Sequence, residues 1–290
     1  NQDLYRRWRN ARTDWDTEAR YDIDFYHGNH FSSDEVDELQ SRNQADVPMD
    51  RIGPAVEKFK AVLTSRPPAF TMTPREDSDV KVASVWRTIM GYVWGNSDGD
   101  WQLKQAIHDY ATTGMGYLYT YIDPESDFGR GDVKFTYVNP FRVYVSPNTR
   151  NRWFDDAEGV ILSTILTGEQ VISLYPELGE QDNPETGEKE FTPAEVKGLD
   201  YFERNKYQVL ERFYKVKVNF YRVIDMQSGE EVIFSEEEYN EFVENNREQM
   251  EASQYEIIPV KQTRVKVCAS IGQIVLYETI LNTDHYPIVP

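Results

Sequence analysis

The spacing of apolar residues changes once along this chain of 290 residues, near residue 115. Before that point apolar side chains recur every three or four residues, which is typical of amphipathic helices. After it they alternate with polar side chains, which is typical of strands with one buried face. Because a helical third precedes a run of strands, the pattern predicts an α+β fold.

The first third of the chain predicts five helices. The apolar face from Leu4 to Tyr26 predicts one continuous helix. Ser32 and Glu35 form a capping-box pattern at the start of a second helix, and Pro54 suits the first turn of a third. In that third helix we expect three apolar residues to point inward: Phe59, Val62 and Leu63. Two further helices are expected at residues 79–95 and 100–113.

Strand patterns follow the helical part. Four segments with period two lie at residues 115–123, 132–138, 141–147 and 159–166, and we predict that they form one small antiparallel sheet. Thr167 is placed to cap a short helix. The polar, turn-rich stretch 179–200 then predicts a boundary.

The last part, residues 201 to about 285, predicts a strand-strand-helix-strand-strand unit with its helix at 236–252. Val216, Val218 and Phe220 share one face of its first strand. We expect this face to be buried beneath an apolar stripe on the helix. The stripe consists of Tyr239, Phe242 and Val243.

Composition narrows the classes of function. The formal net charge of −19 opposes electrostatic capture of nucleic acid, because such capture depends on Lys and Arg. The only cysteine is Cys268, so neither an intrachain disulfide nor a cysteine cluster for zinc is predicted. No apolar run approaches the roughly 18–20 residues that cross a bilayer. We expect a reducing, soluble setting, and we expect the chain to be a piece of a longer polypeptide.

The glycine pair in "TTGMG", residues 112–116, could suggest a phosphate-binding loop. Such a loop leaves a strand and enters a helix, whereas this segment leaves a predicted helix and enters a strand. We therefore expect structural roles. Gly114 would end the helix in the left-handed conformation, and Gly116 would let two backbones approach closely.

The sequence gives only weak indications of a metal site. Asp123, Glu125 and Asp127 have the spacing of the first three ligands of a calcium loop. Phe128 stands where that loop needs glycine and Lys134 where it needs glutamate, so a solvated hairpin tip is favoured and no metal site is predicted. The histidines are too scattered for a shared zinc site, and we expect capping or surface roles for them: His27, His30, His108 and His285.

The run "SEEEYNEFVENNREQMEASQYE", residues 235–256, carries eight glutamates and one arginine. Two interpretations stay open. Its outer face is simply solvated, or it meets a basic partner. For the second interpretation, the candidate docking residues are Glu236, Glu237, Glu238, Glu241 and Glu244.

The sequence offers no catalytic constellation. It has no nucleophile elbow and no locally supported Ser/His/Asp set, and no carboxylate pair stands out among its 50 acidic residues. We therefore predict neither catalysis nor a cofactor.

Five motifs follow one another along the chain: "WDTEARYDIDFYHGNHF", "RNQADVPMDRIGPAVEKFKAVLTSRPPAFTMTPREDSDVKVASV", "AIHDYATTGMGYLYTYIDP", "NPFRVYVSP" and "HYPIVP". Their order and spacing resemble the portal proteins of tailed bacteriophages, especially the podovirus type. The resemblance covers nearly the whole chain. It implies a helix-rich wing with a small antiparallel sheet at residues 1–165. It further implies a helix and polar linker toward the stem at 166–200, and a ββαββ clip with a return toward the stem at 201–290.

The same resemblance implies a function without catalysis. It implies a ring, a dodecamer, that forms the head-to-tail connector at one vertex of the virion capsid and is assembled in the host cytoplasm. Double-stranded DNA would pass through it without sequence-specific binding during packaging and ejection. The implied partners are the terminase, a tail adaptor protein and the major capsid protein.

Two other classes of function stay open. One is an enzyme that acts on a polymer, such as a carbohydrate, and works as a monomer with a cleft. The other is a phage scaffold or interaction protein that forms no channel.

Overall fold

A computed structural model gives the fold over residues 1–74, 76, 79–175, 181–182, 189–190, 201–203, 206–226, 228–246 and 254–290. Helices fill the first part and strands dominate the rest, so the predicted α+β class is confirmed. The helices of the first part are α1 (Gln2–Ala11), α2 (Thr13–Tyr26), α3 (Ser33–Ser41), α4 (Ile52–Leu63), α5 (Val80–Asn96) and α6 (Gly99–Thr113). The strands that follow are β1 (Tyr117–Asp123), β2 (Asp132–Val138), β3 (Val143–Val145) and β4 (Val160–Thr167).

The second half of the chain has the predicted strand-strand-helix-strand-strand order. Before it come α7 (Gly168–Leu174), β5 (Gln181–Asp182), β6 (Lys189–Glu190) and β7 (Tyr201–Glu203). The unit itself consists of β8 (Lys206–Asp225), β9 (Glu231–Ser235), α8 (Glu236–Asn245), β10 (Tyr255–Ile271) and β11 (Ile274–Leu281), and β12 (Ile288–Val289) follows it. Most of the predicted boundary at 179–200, and residues 247–252 of the helix predicted at 236–252, lie outside the described residues.

The predicted capping motifs are confirmed. Ser32 accepts a hydrogen bond from the backbone of Glu35, whose carboxylate accepts one from the Ser32 backbone nitrogen at 2.7 Å. Thr167 and Gln170 form the same reciprocal pair at the start of α7. Each pair satisfies backbone donors that a helix start otherwise leaves without a partner.

The predicted continuous helix from Leu4 to Tyr26 is wrong, because the chain leaves the helical conformation at Arg12 (φ −104°, ψ 1°). The Arg12 side chain forms a 2.9 Å ion pair with Asp16, and its guanidinium carbon lies 4.0 Å from the centre of the Tyr144 ring. It also donates hydrogen bonds to three carbonyl oxygens, those of Pro140 and Phe141 in the turn before β3 and that of Val143, the first residue of β3. The bend therefore fastens α1 and α2 to the edge of a sheet.

The four strands predicted to form one small sheet belong to two sheets. β1 and β2 pair with each other, and β1 also pairs with β12. β3 and β4 instead join a seven-stranded sheet in the order β11-β10-β8-β4-β3, in which β7 and β9 also pair with β8. The chain changes sheets at a short turn, Pro140–Arg142, where the Asn139 side chain accepts a hydrogen bond from the Phe141 backbone nitrogen.

Strand β8 runs through the middle of the large sheet. Along one edge it pairs with β10 from Val209 to Asp225. Along the other edge β4 pairs with its first half and β9 with its second half. The sheet thus joins strands from both sides of the segment 166–200, and the division into wing and clip remains a prediction.

The two faces of the large sheet carry different parts of the core, as alternation along a strand requires. On one face Val160, Leu162, Phe213, Val265 and Val267 pack with Tyr117, Val138, Tyr286 and Ile288 from the small sheet and its surroundings. On the other face Ile161, Leu210 and Tyr144 pack with Tyr5 and Trp8 of α1. The large sheet is therefore the central layer of the body.

Both glycine predictions in the α6–β1 corner are confirmed. Gly114 ends α6 with φ +76°, in the left-handed region. A Cβ atom built on Gly116 would lie 2.2 Å from the carbonyl oxygen of Ala106. Because that oxygen belongs to the backbone, a side chain at position 116 would force the corner apart.

The inward orientation predicted for three residues of α4 is wrong. Phe59, Val62 and Leu63 are 43%, 64% and 48% exposed, whereas Val56, one or two turns earlier, is buried. The helix packs on α6, and only the part around Val56 is covered. Periodicity identified the apolar side of α4, although nothing in the described chain covers its second half.

One carboxylate lies on a core face of the large sheet. Glu211 stands between Val209 and Phe213 on the same face of β8, and its Oε1 accepts a 2.7 Å hydrogen bond from the Tyr277 hydroxyl. Burial raises the pKa of Glu211, and the Tyr277 hydrogen bond and the charge of Arg142 oppose that rise. The folded chain therefore holds a proton on Glu211 more tightly than the unfolded chain does.

We predict that Gly116→Ala lowers the free energy of unfolding by about 1–3 kcal/mol, because the added methyl group overlaps a backbone oxygen. Urea denaturation measures this change. Gly91→Ala in α5 is the matched control, since its Cβ meets nothing within 4 Å. The control is expected to raise stability by roughly 0.5–1 kcal/mol. A Gly116→Ala variant as stable as the parent would contradict the close approach.

We predict that the melting temperature of Glu211→Gln, relative to the parent, rises as the pH increases from 4 to 8. A raised pKa means that the stabilising contribution of the carboxyl is complete below its ordinary value and is lost as pH rises through the folded pKa. Glu278→Gln is the control of opposite sign, because hydrogen bonding to Lys266 lowers the pKa of Glu278. If the melting temperatures of the two variants, each relative to the parent, changed in the same direction with pH, the raised pKa of Glu211 would be refuted.

Candidate functional site

The candidate site is the acidic helix α8 at the far end of the β8–β10 ribbon. It begins directly after β9 with a capping box. The Glu238 backbone nitrogen donates to the Ser235 hydroxyl at 3.3 Å, and the Ser235 backbone nitrogen donates to the Glu238 carboxylate at 2.8 Å. The hydrogen bonds that the carboxylate of Glu238 accepts from Ser235, from its backbone first and then its side chain, lower the pKa of Glu238. The cap fixes where the helix starts and hence which residues face outward.

The apolar stripe of α8 packs on the sheet through aromatic rings. Tyr239 stacks on Tyr221, with ring centres 4.0 Å apart. Phe242 stacks on Phe234 at 4.9 Å and meets the Tyr255 ring edge-on at 5.2 Å. The stripe itself is thus confirmed as the side of α8 that faces the sheet.

The prediction of which face of β8 this stripe covers is wrong. Phe220 and Tyr221 follow one another in β8, so their side chains lie on opposite faces of the sheet, and α8 covers the Tyr221 face. Val216, Val218 and Phe220 share the other face, where the Arg264 guanidinium lies 5.0 Å from the Phe220 ring. One sequence signal was missed: Tyr221 and Phe234 are cross-strand neighbours and give the larger aromatic surface.

The predicted docking residues lie together on the outer side of α8. All five are exposed: Glu236, Glu237, Glu238, Glu241 and Glu244. Glu238 is engaged in the capping box. Among the described residues, the carboxylates of the other four form neither hydrogen bonds nor ion pairs.

The charge arrangement on α8 is only partly favourable to the helix. Glutamates 236–238 lie in the first turn, where the helix dipole stabilises negative charge. Glu241 and Glu244 lie beyond that turn, and Glu238, Glu241 and Glu244 follow one another at a spacing of three residues. Like charges at this spacing destabilise a helix by roughly 0.2–0.5 kcal/mol per pair. Cations from outside the described chain would relieve this repulsion.

The calcium-like residues form a hairpin tip, as predicted. The Asp123 carboxylate accepts hydrogen bonds from the Lys134 ammonium at 2.6 Å and the Ser126 hydroxyl at 2.7 Å, and these bonds lower its pKa to about 2. Asp127 instead pairs with Arg130 at 3.7 Å. Lys134 thus already supplies the positive charge that balances Asp123.

Three of the four histidines pack on aromatic rings, and two of them share one tyrosine. His30 stacks on Phe25 with ring centres 4.2 Å apart, while His27 and His108 each meet the ring of Tyr26 edge-on. His285 lies 3.4 Å from an Asp155 carboxylate oxygen. Within the described ranges, no group of three or more His, Cys, Asp or Glu residues could hold a metal ion.

Comparison with known proteins identifies the family. None of the helices in the described part of the chain has the length and apolar character needed to cross a bilayer. A search among curated proteins gives no match. The family described as Phage P22-like portal protein matches residues 2–290, nearly the whole chain. The chain belongs to this phage portal family, whose members are structural proteins of the virion capsid and form an oligomeric ring.

Proposed function

We propose that this protein forms a closed ring at the unique capsid vertex, through which viral double-stranded DNA is packaged and later ejected. The observation that carries the proposal is the family match over residues 2–290. The ring would be a dodecamer assembled in the host cytoplasm, with the major capsid protein around it. Identical copies form a ring when each contact joins two different faces of the subunit and the rotation between neighbours closes on itself.

The charge of the chain supports the role of conduit. A wall rich in lysine and arginine would bind phosphates and hold a duplex in place. The present chain carries 50 acidic and 31 basic residues, and this net negative charge supports a channel whose wall does not hold the DNA backbone. Repulsion of this kind lets a duplex slide without sequence-specific binding.

We further propose that successive segments of the chain form different parts of the portal subunit. Residues 1–165 belong to the wing, 166–200 lead toward the stem, and 201–290 form the clip and the return toward the stem. The outer face of α8 is then the docking surface for terminase and tail adaptor. Its four carboxylates without described partners support this assignment, because a basic partner would supply the missing counter-charges.

The polymer-cleaving enzyme is the weaker alternative. A cleft of about 770 Å³ lies between α1, α2 and the edge of the large sheet, and its basic lining residues are Arg9, Arg12, Arg20 and Arg142. Its one carboxylate, that of Asp16, is paired with Arg12. Glycoside hydrolysis needs two carboxyl groups flanking the scissile bond, which this cleft does not provide. We propose that the chain has no catalytic activity.

We predict that the full-length protein forms closed rings with an axial hole wide enough for duplex DNA. Negative-stain images and sedimentation of the purified protein test this. Monomers at high concentration, or particles without a hole, would contradict the proposed function.

We predict that simultaneous Glu→Lys reversal at Glu236, Glu237, Glu238, Glu241 and Glu244 weakens binding of terminase or adaptor and makes it less dependent on salt. Single reversals are expected to have little effect, because each exposed pair contributes on the order of 1 kcal/mol or less. Pull-down at several salt concentrations measures the change, and the ring is expected to stay intact.

The matched control reverses five exposed carboxylates on α2 and α3, which changes the net charge by the same amount. These are Asp14, Glu18, Asp22, Asp34 and Asp37. Equal loss of binding in both variants would show a general charge effect, and unchanged binding in the α8 variant would show that its face is only solvated. Either result would end the docking proposal for α8.

A further inference from the structure

Helix α5 has an apolar stripe that is covered at one end only. Val93, near the end of the helix, is 8% exposed, and the adjoining Trp94 packs against Phe135 with ring centres 5.0 Å apart. From Val80 to Tyr92 no side chain of α5 is buried. The bare part of the stripe, which follows helical spacing, consists of Val82, Val85, Trp86 and Ile89.

The apolar side of helix α4 is likewise buried near the start of the helix and exposed toward its end. Val56 is buried, whereas Phe59 and Leu63 on the same side are exposed. Between α4 and α6 lies an apolar groove of about 430 Å³. It is lined by Ala55, Val56, Phe59, Tyr110, Ala111 and Gly114.

The charge of α5 differs from that of the chain. Its 17 residues include Lys81 and Arg87 and no Asp or Glu. The chain as a whole has a net charge of −19. By helical spacing both cations lie off the apolar stripe, and none of the residues that line the α4–α6 groove is charged, so a contact between stripe and groove would be apolar.

Exposed apolar surface of this extent indicates an interface. Soluble monomers rarely expose a large contiguous apolar patch without a function, and burial stabilises by roughly 25 cal/mol per Å². Since the stripe continues a face that is already buried at Val93, the same side of α5 is suited to packing along its whole length. A covering surface must come from beyond the described residues.

We propose that the α5 stripe of one subunit docks into the α4–α6 groove of its neighbour in the ring. A closed ring needs a contact between two different faces, and the stripe and the groove are two such faces on one chain. The contact would cover the bare stripes of both α4 and α5, one from each copy. This inference rests on the proposed ring and adds the surfaces that close it.

The test uses thiol accessibility in the full-length protein. The native Cys268 is buried and gives a low background. We expect Val85→Cys to react rapidly with a bulky maleimide in dissociated subunits and at least tenfold more slowly in rings. Ser84→Cys, on the opposite side of α5, is the matched control and is expected to react equally in both states.

A second variant tests the partner surface. Val85→Cys combined with Ala111→Cys should give covalent dimers and higher multimers with a short bifunctional thiol reagent, whereas Ser84→Cys with Ala111→Cys should not. Rings in which Val85→Cys stays reactive would overturn this inference and leave the ring intact. Protection already in the monomer would show that the protein's own chain covers the stripe. Absence of rings, with Val85→Cys reactive at every concentration, would overturn both proposals.

Discussion

The architecture depends on the pairing of β8, a strand of 20 residues. Because side chains alternate along a strand, its register decides which residues enter each of the two core faces. Phe213 enters the core beneath the small sheet, and Leu210 enters the core beneath α1. A shift of one residue would exchange these sets and place Glu211 among the residues of α1. The strands paired to β8 on both edges hold that register.

Arginine 12 provides the second constraint. A helix uses its own backbone hydrogen bonds, so a break in the middle of an apolar face needs compensation. Here the Arg12 guanidinium group donates to the carbonyl oxygens of Pro140 and Phe141, in the turn before β3, and its charge is balanced by Asp16. Tyr5 and Trp8 are thereby held over the sheet. Arg12 is thus one of the side chains that join the helical part to the β part, together with Gln102 and Asn96, which bond to β2.

Sequence patterns predicted the elements better than their arrangement. The caps at Ser32 and Thr167 and the glycine pair Gly114 and Gly116 were predicted correctly, because each depends on local backbone chemistry. The break at Arg12 was missed because its cause lies about 130 residues away in the chain. The face of β8 beneath α8 was mistaken because alternation defines two faces without saying which one a helix covers. The outward glutamates of α8 followed from helical spacing alone.

The length of the β8–β10 ribbon has a mechanical consequence. Beyond Phe213, the last residue of β8 paired with β4, the ribbon continues for eight residues to Tyr221, where α8 is seated. At about 3.3 Å per residue this distance is roughly 26 Å. A tilt of the ribbon by about 10° at its base would displace α8 by roughly 4–5 Å over such a length. Small tilts of the β8–β10 ribbon at its base therefore produce displacements of several ångström at the acidic face of α8.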